Sequence, residues 1–427
     1  MMESNIGRGS AAAPFFRNER IGRPRGGWIC NGTGVPALAL ALSIGALAAP
    51  WQVRAAPAIP ADPSVVLETL RDTPLDRAAR ELRSMRIELN RNPANLELAV
   101  ALARRYIETS RSRGDPRYLG YAQSALGPWW TLGQPPETVL LLRATIRQSN
   151  HDFVGALDDL AQLLRASPGN AQAWLMRATI LQVRGQYAEA TRSCDALEQR
   201  VQPHVLAVCR AGSAALSGAG EDGYRLLQQA QAQAQVTRSP ITEQVWVATA
   251  LAELAARLGM SAEAEQHFRG ALQLDAADPY LKAAYADFLL DAARPADVVR
   301  LLAADTRIDG LLLRLALAEK QLGAATLPAR VAELQARFEA ARARGDRVHM
   351  REEARFRLSL RGETKAALQL ARDNWAVQKE PADARILLEA ALAARDRPAA
   401  RPVLDWMAAN RVQDPALARL ARALESA

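Results

Sequence analysis

Between Asn170 and Pro203, apolar or small residues recur at helical spacing in two runs. Trp174, Ala178 and Leu181 form the first, Tyr187, Ala190, Cys194 and Leu197 the second, and Gly185 separates them. The spacing predicts a helix, a tight turn and a second helix. Asn170 follows Ser167-Pro168-Gly169, where its side chain can cap the first helix, and Gly185 suits the left-handed backbone that ends it. Two amphipathic helices this short cannot bury both apolar stripes against each other, so the pair needs neighbours.

Those neighbours are visible at a period of 34 residues. Ala144, Phe153, Ala156, Leu160, Leu163 and Pro168 stand upstream where Ala178, Tyr187, Ala190, Cys194, Leu197 and roughly Pro203 stand in the first unit. Ala252, Gly259, Ala264, Phe268 and Ala271 carry a third copy, and a fourth starts at Pro279, with Ala286 in register behind Ala252. This resembles the tetratricopeptide repeat family, whose repeat has that length and keeps small residues where its two helices approach. The resemblance implies an all-α fold, a right-handed α-solenoid of stacked helix-turn-helix repeats. It is clearest over residues 137–203 and 245–309.

Read from its start, the chain opens with a polar stretch lacking periodicity, residues 1–34, and then an apolar run, Val35 to Ala49, behind Arg17, Arg20, Arg23 and Arg25. A membrane-spanning helix takes about 20 apolar residues. This run is shorter, contains Pro36 and exits through Ala46-Leu47-Ala48, so residues 1–49 are expected to be a basic leader and signal peptide, cleaved near Ala48 to Ala58. An uncleaved anchor in an inner membrane is the alternative. Residues 50–63 read as a Pro/Ala-rich linker and 64–91 as capping helices, with caps offered by Ser64 and by Thr73-Pro74-Leu75-Asp76. The solenoid is expected over 92–427, degenerate at 204–238 and 310–348, and punctuated again at Gly362 and Asp396-Arg397-Pro398. With repeats reaching nearly to Ala427, an appended catalytic domain is not expected, and a helical enzyme accessory subunit is the lesser alternative.

Composition changes this picture little. Hydrophobic residues make up 49% of the chain but aromatic ones only 5%, which suits an extended array better than one large core. The net charge of +8 is Arg-based, with four Lys among 54 basic residues, and residues 1–48 carry +3 of it. So modest a surplus points away from nucleic acid.

Candidate chemistry is sparse, and neither cofactor nor metal is expected. There is no HExxH, P-loop, CxxC or GxSxG pattern, and His151, His204, His267 and His349 are scattered over different repeats. Gly218 to Gly223 matches GxGxxG, but it follows a helix and carries Glu221 and Asp222, so it is expected to be a turn. Arg347, Arg351 and Arg355 recur every four residues. Such a stripe suits an acidic partner, yet Glu352 and Glu353 share its helix, and a solvated face is the expectation.

The family resemblance implies a binding groove lined by the first helix of each repeat. The corresponding positions are Thr138, Leu141, Thr145 and Gln148, then Gln172, Leu175, Thr179 and Gln182. Farther on they are Trp246, Thr249, Glu253 and Ala256, then Tyr280, Ala283, Asp287 and Leu290, so the groove is expected to pass from neutral to aromatic and acidic. The Lys- and Asn-based clamp by which some relatives hold C-terminal carboxylates is absent there. Gln182 and Trp246 are expected to matter more for binding than Arg351 and Arg355. Cys194 and Cys209 are the cysteines left after signal cleavage. They lie on adjacent helices at nearly equal height, so they pair in an oxidising compartment or pack as reduced core residues. The expectation is a non-catalytic periplasmic or secreted scaffold for a protein or peptide, without nucleic acid, touching membrane only through its signal segment.

Overall fold

The structure, a computed structural model, describes residues 74–345 and 348–426. Of the described residues, those from 82 onward belong to one compact unit and 74–81 to a second. The expected signal peptide, the linker and the cap at Ser64 lie outside the described residues. Described residues form 21 α-helices and no strand. Helix α1 (Pro74–Arg91) opens on the proline that the sequence places at a first helical position.

Nine helix pairs follow. They are α2 (Leu96–Arg113) with α3 (Arg117–Ala125), trailed by the short α4 (Gly127–Trp130); α5 (Glu137–Ser149) with α6 (Phe153–Ala166); and α7 (Ala171–Val183) with α8 (Tyr187–Asp195). Then come α9 (Pro203–Ala215) with α10 (Gly220–Val236), α11 (Ile241–Arg257) with α12 (Ser261–Leu274), and α13 (Pro279–Asp291) with α14 (Pro295–Leu302). Last are α15 (Asp309–Leu322) with α16 (Leu327–Ala343), α17 (Met350–Phe356) with α18 (Thr364–Val377), and α19 (Pro381–Ala394) with α20 (Arg397–Asn410), before a closing α21 (Pro415–Glu425). Helix α17 runs on through a π-helical turn, Arg357–Arg361.

Local chemistry explains the boundaries. The side chains of Asn95, Asp152, Asn170, Asp278 and Asp396 each accept a hydrogen bond from the backbone N–H three residues on. Each pair reverses on one left-handed residue: Gly114, His151, Gly185, Gly218, Gly259, Ala293, Gly323, Gly362 and Arg395, with φ from +54° to +80°. Packing follows the repeat pattern. Ala144, Ala178, Ala252 and Ala286 are fully buried, as are Ala156, Ala190 and Ala264, while Phe153, Tyr187 and Phe268 fill the space beside them. From α5 to α19, the first helix of each pair packs against its own partner and against the first helix of the next pair. The fold is thus an all-α solenoid of stacked helix pairs.

Its pairs also meet across a long sequence interval. A Cβ placed on Gly114 would lie 3.0 Å from Ile308, one on Gly185 3.2 Å from Lys379, and one on Gly218 2.9 Å from Arg411. The residues in each case stand 193 or 194 positions apart, which at the repeat length is between five and six units. Hydrogen bonds pin the same seam. The Lys379 backbone N–H donates to Val183 O at 2.7 Å, Trp406 Nε1 to the Tyr187 hydroxyl at 3.1 Å, and the Gly220 N–H to Gln413 Oε1 at 3.0 Å. Tyr187 and Leu216 share a core with the C-terminal helices. A constant offset means that one wind of the array lies edge to edge on the wind before it.

Candidate functional site

Tight winding decides which expected groove residues remain available. Thr145, Leu175 and Thr249 are buried, so they do not line an open groove. The hydroxyls of Thr145, Thr179 and Thr249 donate to the carbonyls four residues back, at 2.8, 3.0 and 2.8 Å. Gln182 gives its amide to Cys209 O and Ser213 Oγ at 2.9 and 3.0 Å, tying α7 to α9. Leu141 packs on the core around Leu140 and Ala144, and Trp246 on the cores formed around α9. Gln148 and Gln172 are half-buried, and Thr138 is exposed near the start of α5. In this neutral part of the groove, most polar groups already bond within the helix array.

Glu253, Tyr280 and Asp287 instead meet a network of charges. The Tyr280 hydroxyl donates to both Glu253 oxygens at 3.0 and 3.1 Å, while its ring is 65% exposed. Burial pushes the Glu253 carboxyl up to about 7 despite Arg257, and Glu380 and Asp287 add to the rise. The nearby Glu253 charge raises the Tyr280 phenol well above its ordinary value. Burial would also raise Asp287, but Arg314 and Arg355 outweigh it, bonding its two oxygens at 2.5 and 2.6 Å and holding it well below the usual carboxylate range.

Here the arginine stripe departs from expectation. Arg351 and Arg355 do not form a solvated face. Arg351 bonds Glu380 at 2.9 Å and the fully buried Asp383 at 3.3 Å, and Arg355 reaches Asp287, 68 residues away. Burial disfavours the Arg351 charge, but Glu352, Asp383 and Glu380 outweigh it and hold the guanidinium well above its ordinary value. Glu352 is held down to about 2, since Arg351 and His349 outweigh its burial. Asp383 is pushed up to about 6 by burial, against the pull of Arg351, while Asn374 and Gln378 donate to it. The stripe fails as a surface because the array curls its helix onto the inner side, among carboxylates of other pairs. Arg347 lies outside the described residues.

A cleft of about 410 Å³ opens where α13, α15, the π-helical turn and α19 converge. Leu290, Leu317 and Leu358 give it an apolar floor. Lys320, Arg355 and Arg385 bring cations to it, Asp291 and Glu389 carboxylates, and Gln321 and Ser359 neutral groups. Arg385 holds both carboxylates, each at 2.7 Å. Lys320 donates to the Ser359 carbonyl. Most of these residues escaped the fixed 34-step count. The left-handed turns at Ala293, Gly323 and Gly362 are 30 and then 39 residues apart, so the register slips just where the cleft forms.

Other candidate features serve the fold. Cys194 Sγ, on α8, is bonded to Cys209 Sγ, on α9, with Cα atoms 5.7 Å apart. Gly218 makes a left-handed turn, Gly220 opens α10 against Gln413, and Gly223 lets α10 approach the Ala211 carbonyl. His204 is fully buried and pairs with Glu243 at 2.7 Å, and His267 bonds the Tyr224 hydroxyl at 3.0 Å. Arg143 and Asp159 form a buried ion pair within their own helix pair. Among the described residues, no group of three His, Cys, Asp or Glu side chains is arranged to hold a metal ion, and no helix is long and apolar enough to cross a membrane.

No protein-family model matches the sequence, and no curated protein matches it. Among solved structures, a tetratricopeptide repeat protein from Parabacteroides merdae aligns at 18% identity over 57% of this chain and 92% of its own, with a TM-score of 0.43. The APC/C hetero-tetramer Cut9–Hcn1 aligns at 13% identity over 78% of this chain and 64% of that one, with a TM-score of 0.45.

Proposed function

We propose that this chain is a non-catalytic scaffold of the cell envelope that holds a protein or peptide partner along its inner face. One observation carries the reading: four successive first helices, α13 to α19, turn apolar and charged side chains onto one cleft of about 410 Å³. A ligand there is desolvated by several repeats at once, the condition under which a few contacts dominate binding. Export is supported by the apolar run from Val35 to Ala49 behind a basic flank and by the Cys194–Cys209 bond, since disulfides persist in oxidising compartments.

Two measurements test it. The chain from residue 60, used as bait in envelope extract, should retain a partner that Gln321→Trp, which fills the cleft from an exposed position, fails to retain. Equal retention by both baits moves the contact off the inner face. Sequencing the mature N-terminus should find a start between residues 49 and 59; an intact Met1 would favour the tethered alternative.

A further inference from the structure

The cleft carries a charge imbalance that its own residues do not resolve. Arg314 and Arg355 share one carboxylate, Asp287, while Arg385 engages two, Asp291 and Glu389. Lys320 has no carboxylate at ion-pair distance among the described residues; its ammonium rests on a backbone carbonyl, that of Ser359. Three cations therefore line the cleft against two carboxylates. Arg355, which lines the cleft, engages Asp287 through Nη1, which leaves Nε and Nη2 as further donors.

An independent feature marks the same place. The stretch Arg357–Arg361 leaves α-helical geometry for a π-helical turn, an arrangement that is rare and frequently found at functional sites. Two of its residues, Leu358 and Ser359, line the cleft, and Ser359 O is the acceptor that positions Lys320. The apolar floor lies directly beside the cations.

We propose that this cleft is a recognition site for an acidic side chain, Asp or Glu, flanked by aliphatic residues within an extended peptide, its carboxylate received by Lys320 and Arg355. The inference rests on the peptide-binding reading above and specifies its ligand. An internal side chain is favoured over a chain end because it brings residues on both sides that can cover Leu290, Leu317 and Leu358. The incoming carboxylate balances the third cation, and its neighbours cover Leu290, Leu317 and Leu358.

The test uses the full chain and three fluorescein-labelled peptides followed by anisotropy. The first is Gly-Ser-Leu-Glu-Leu-Ser-Gly amide, the second has Gln for Glu, and the third is Gly-Ser-Leu-Gln-Leu with a free C-terminal carboxylate. The Glu peptide should bind about tenfold tighter than the Gln peptide, the scale of one charge-assisted hydrogen bond. Lys320→Ala should abolish that preference and Lys320→Arg restore it, with unchanged helical content, because Lys320 is exposed and outside every core. Equal binding of the Glu and Gln peptides would overturn the acidic specificity and leave the peptide-binding reading standing. Preference for the free carboxylate alone would overturn the internal side chain as ligand. Binding of none of the three overturns both readings.

Discussion

The Glu253 carboxyl is moved toward neutrality. It is raised to about 7 and that of Asp383 to about 6, so between their ordinary values and these the folded chain binds more protons than the unfolded one. Stability must then fall as pH rises through this window and level off above it. Glu352, held down to about 2, and Asp287, held lower still, act oppositely and stabilise until strong acid protonates them. The melting temperature followed by circular dichroism should therefore peak near about pH 5, decline toward about pH 7.5 and collapse below about pH 3. Glu253→Gln should flatten the decline. A melting temperature that climbs from pH 5 to pH 7.5, or a Gln variant with an unchanged slope, would contradict the assignment.

At the scale of the element, the repeated unit is a helix pair reversing on one left-handed residue. Six of the nine turns use Gly, and His151, Ala293 and Arg395 supply the others at φ from +54° to +60°. Left-handed backbone costs a residue with a Cβ about 1–2 kcal/mol, partly offset by the greater freedom of unfolded glycine. Ala293→Gly should accordingly stabilise the chain by about 0.5–1 kcal/mol. Gly185→Ala should destabilise it by more, because φ is +74° and the new methyl would stand 3.2 Å from Lys379 across the seam. Urea midpoints measure both changes, and equal effects at the two turns would show that neither backbone strain nor the seam matters. The helix pairs themselves were legible in the sequence. Asn170 caps the helix it was expected to cap, Gly185 takes the left-handed conformation, and the alanines at the repeat positions are buried.

Among the described residues, contacts between winds join pairs far apart in the chain. Contacts such as Gly185 on Lys379 and Gly218 on Arg411 join residues more than 190 positions apart, so they can hold one wind on the next. Trp406 Nε1 donates to the buried Tyr187 hydroxyl, and Trp406→Phe leaves that hydroxyl unpaired at a cost of about 1–3 kcal/mol. Trp406→Phe combined with Gln413→Ala should let the last pairs swing outward. Small-angle scattering should then report a larger radius of gyration while far-ultraviolet dichroism stays the same. An unchanged radius would mean that packing within each wind, rather than the seam, sets the curvature.

Periodicity, caps and small-residue positions are local properties, encoded within about one repeat, and they determine by themselves that this chain forms stacked helix pairs. The sequence did not disclose how tightly the stack winds, because that depends on edge contacts between residues about five to six units apart. The fate of Arg351 and Arg355 depends on the same winding. Beside Glu352 and Glu353 they read as a solvated face, and only curvature brings Asp287 and Asp383 onto them. The cleft was hidden for a related reason. Spacings between left-handed turns range from 30 to 41 residues, so a fixed step loses the inward positions after Leu290. Tertiary structure alone places Lys320, Arg355 and Arg385 together, since nothing in their sequence spacing indicates a shared face.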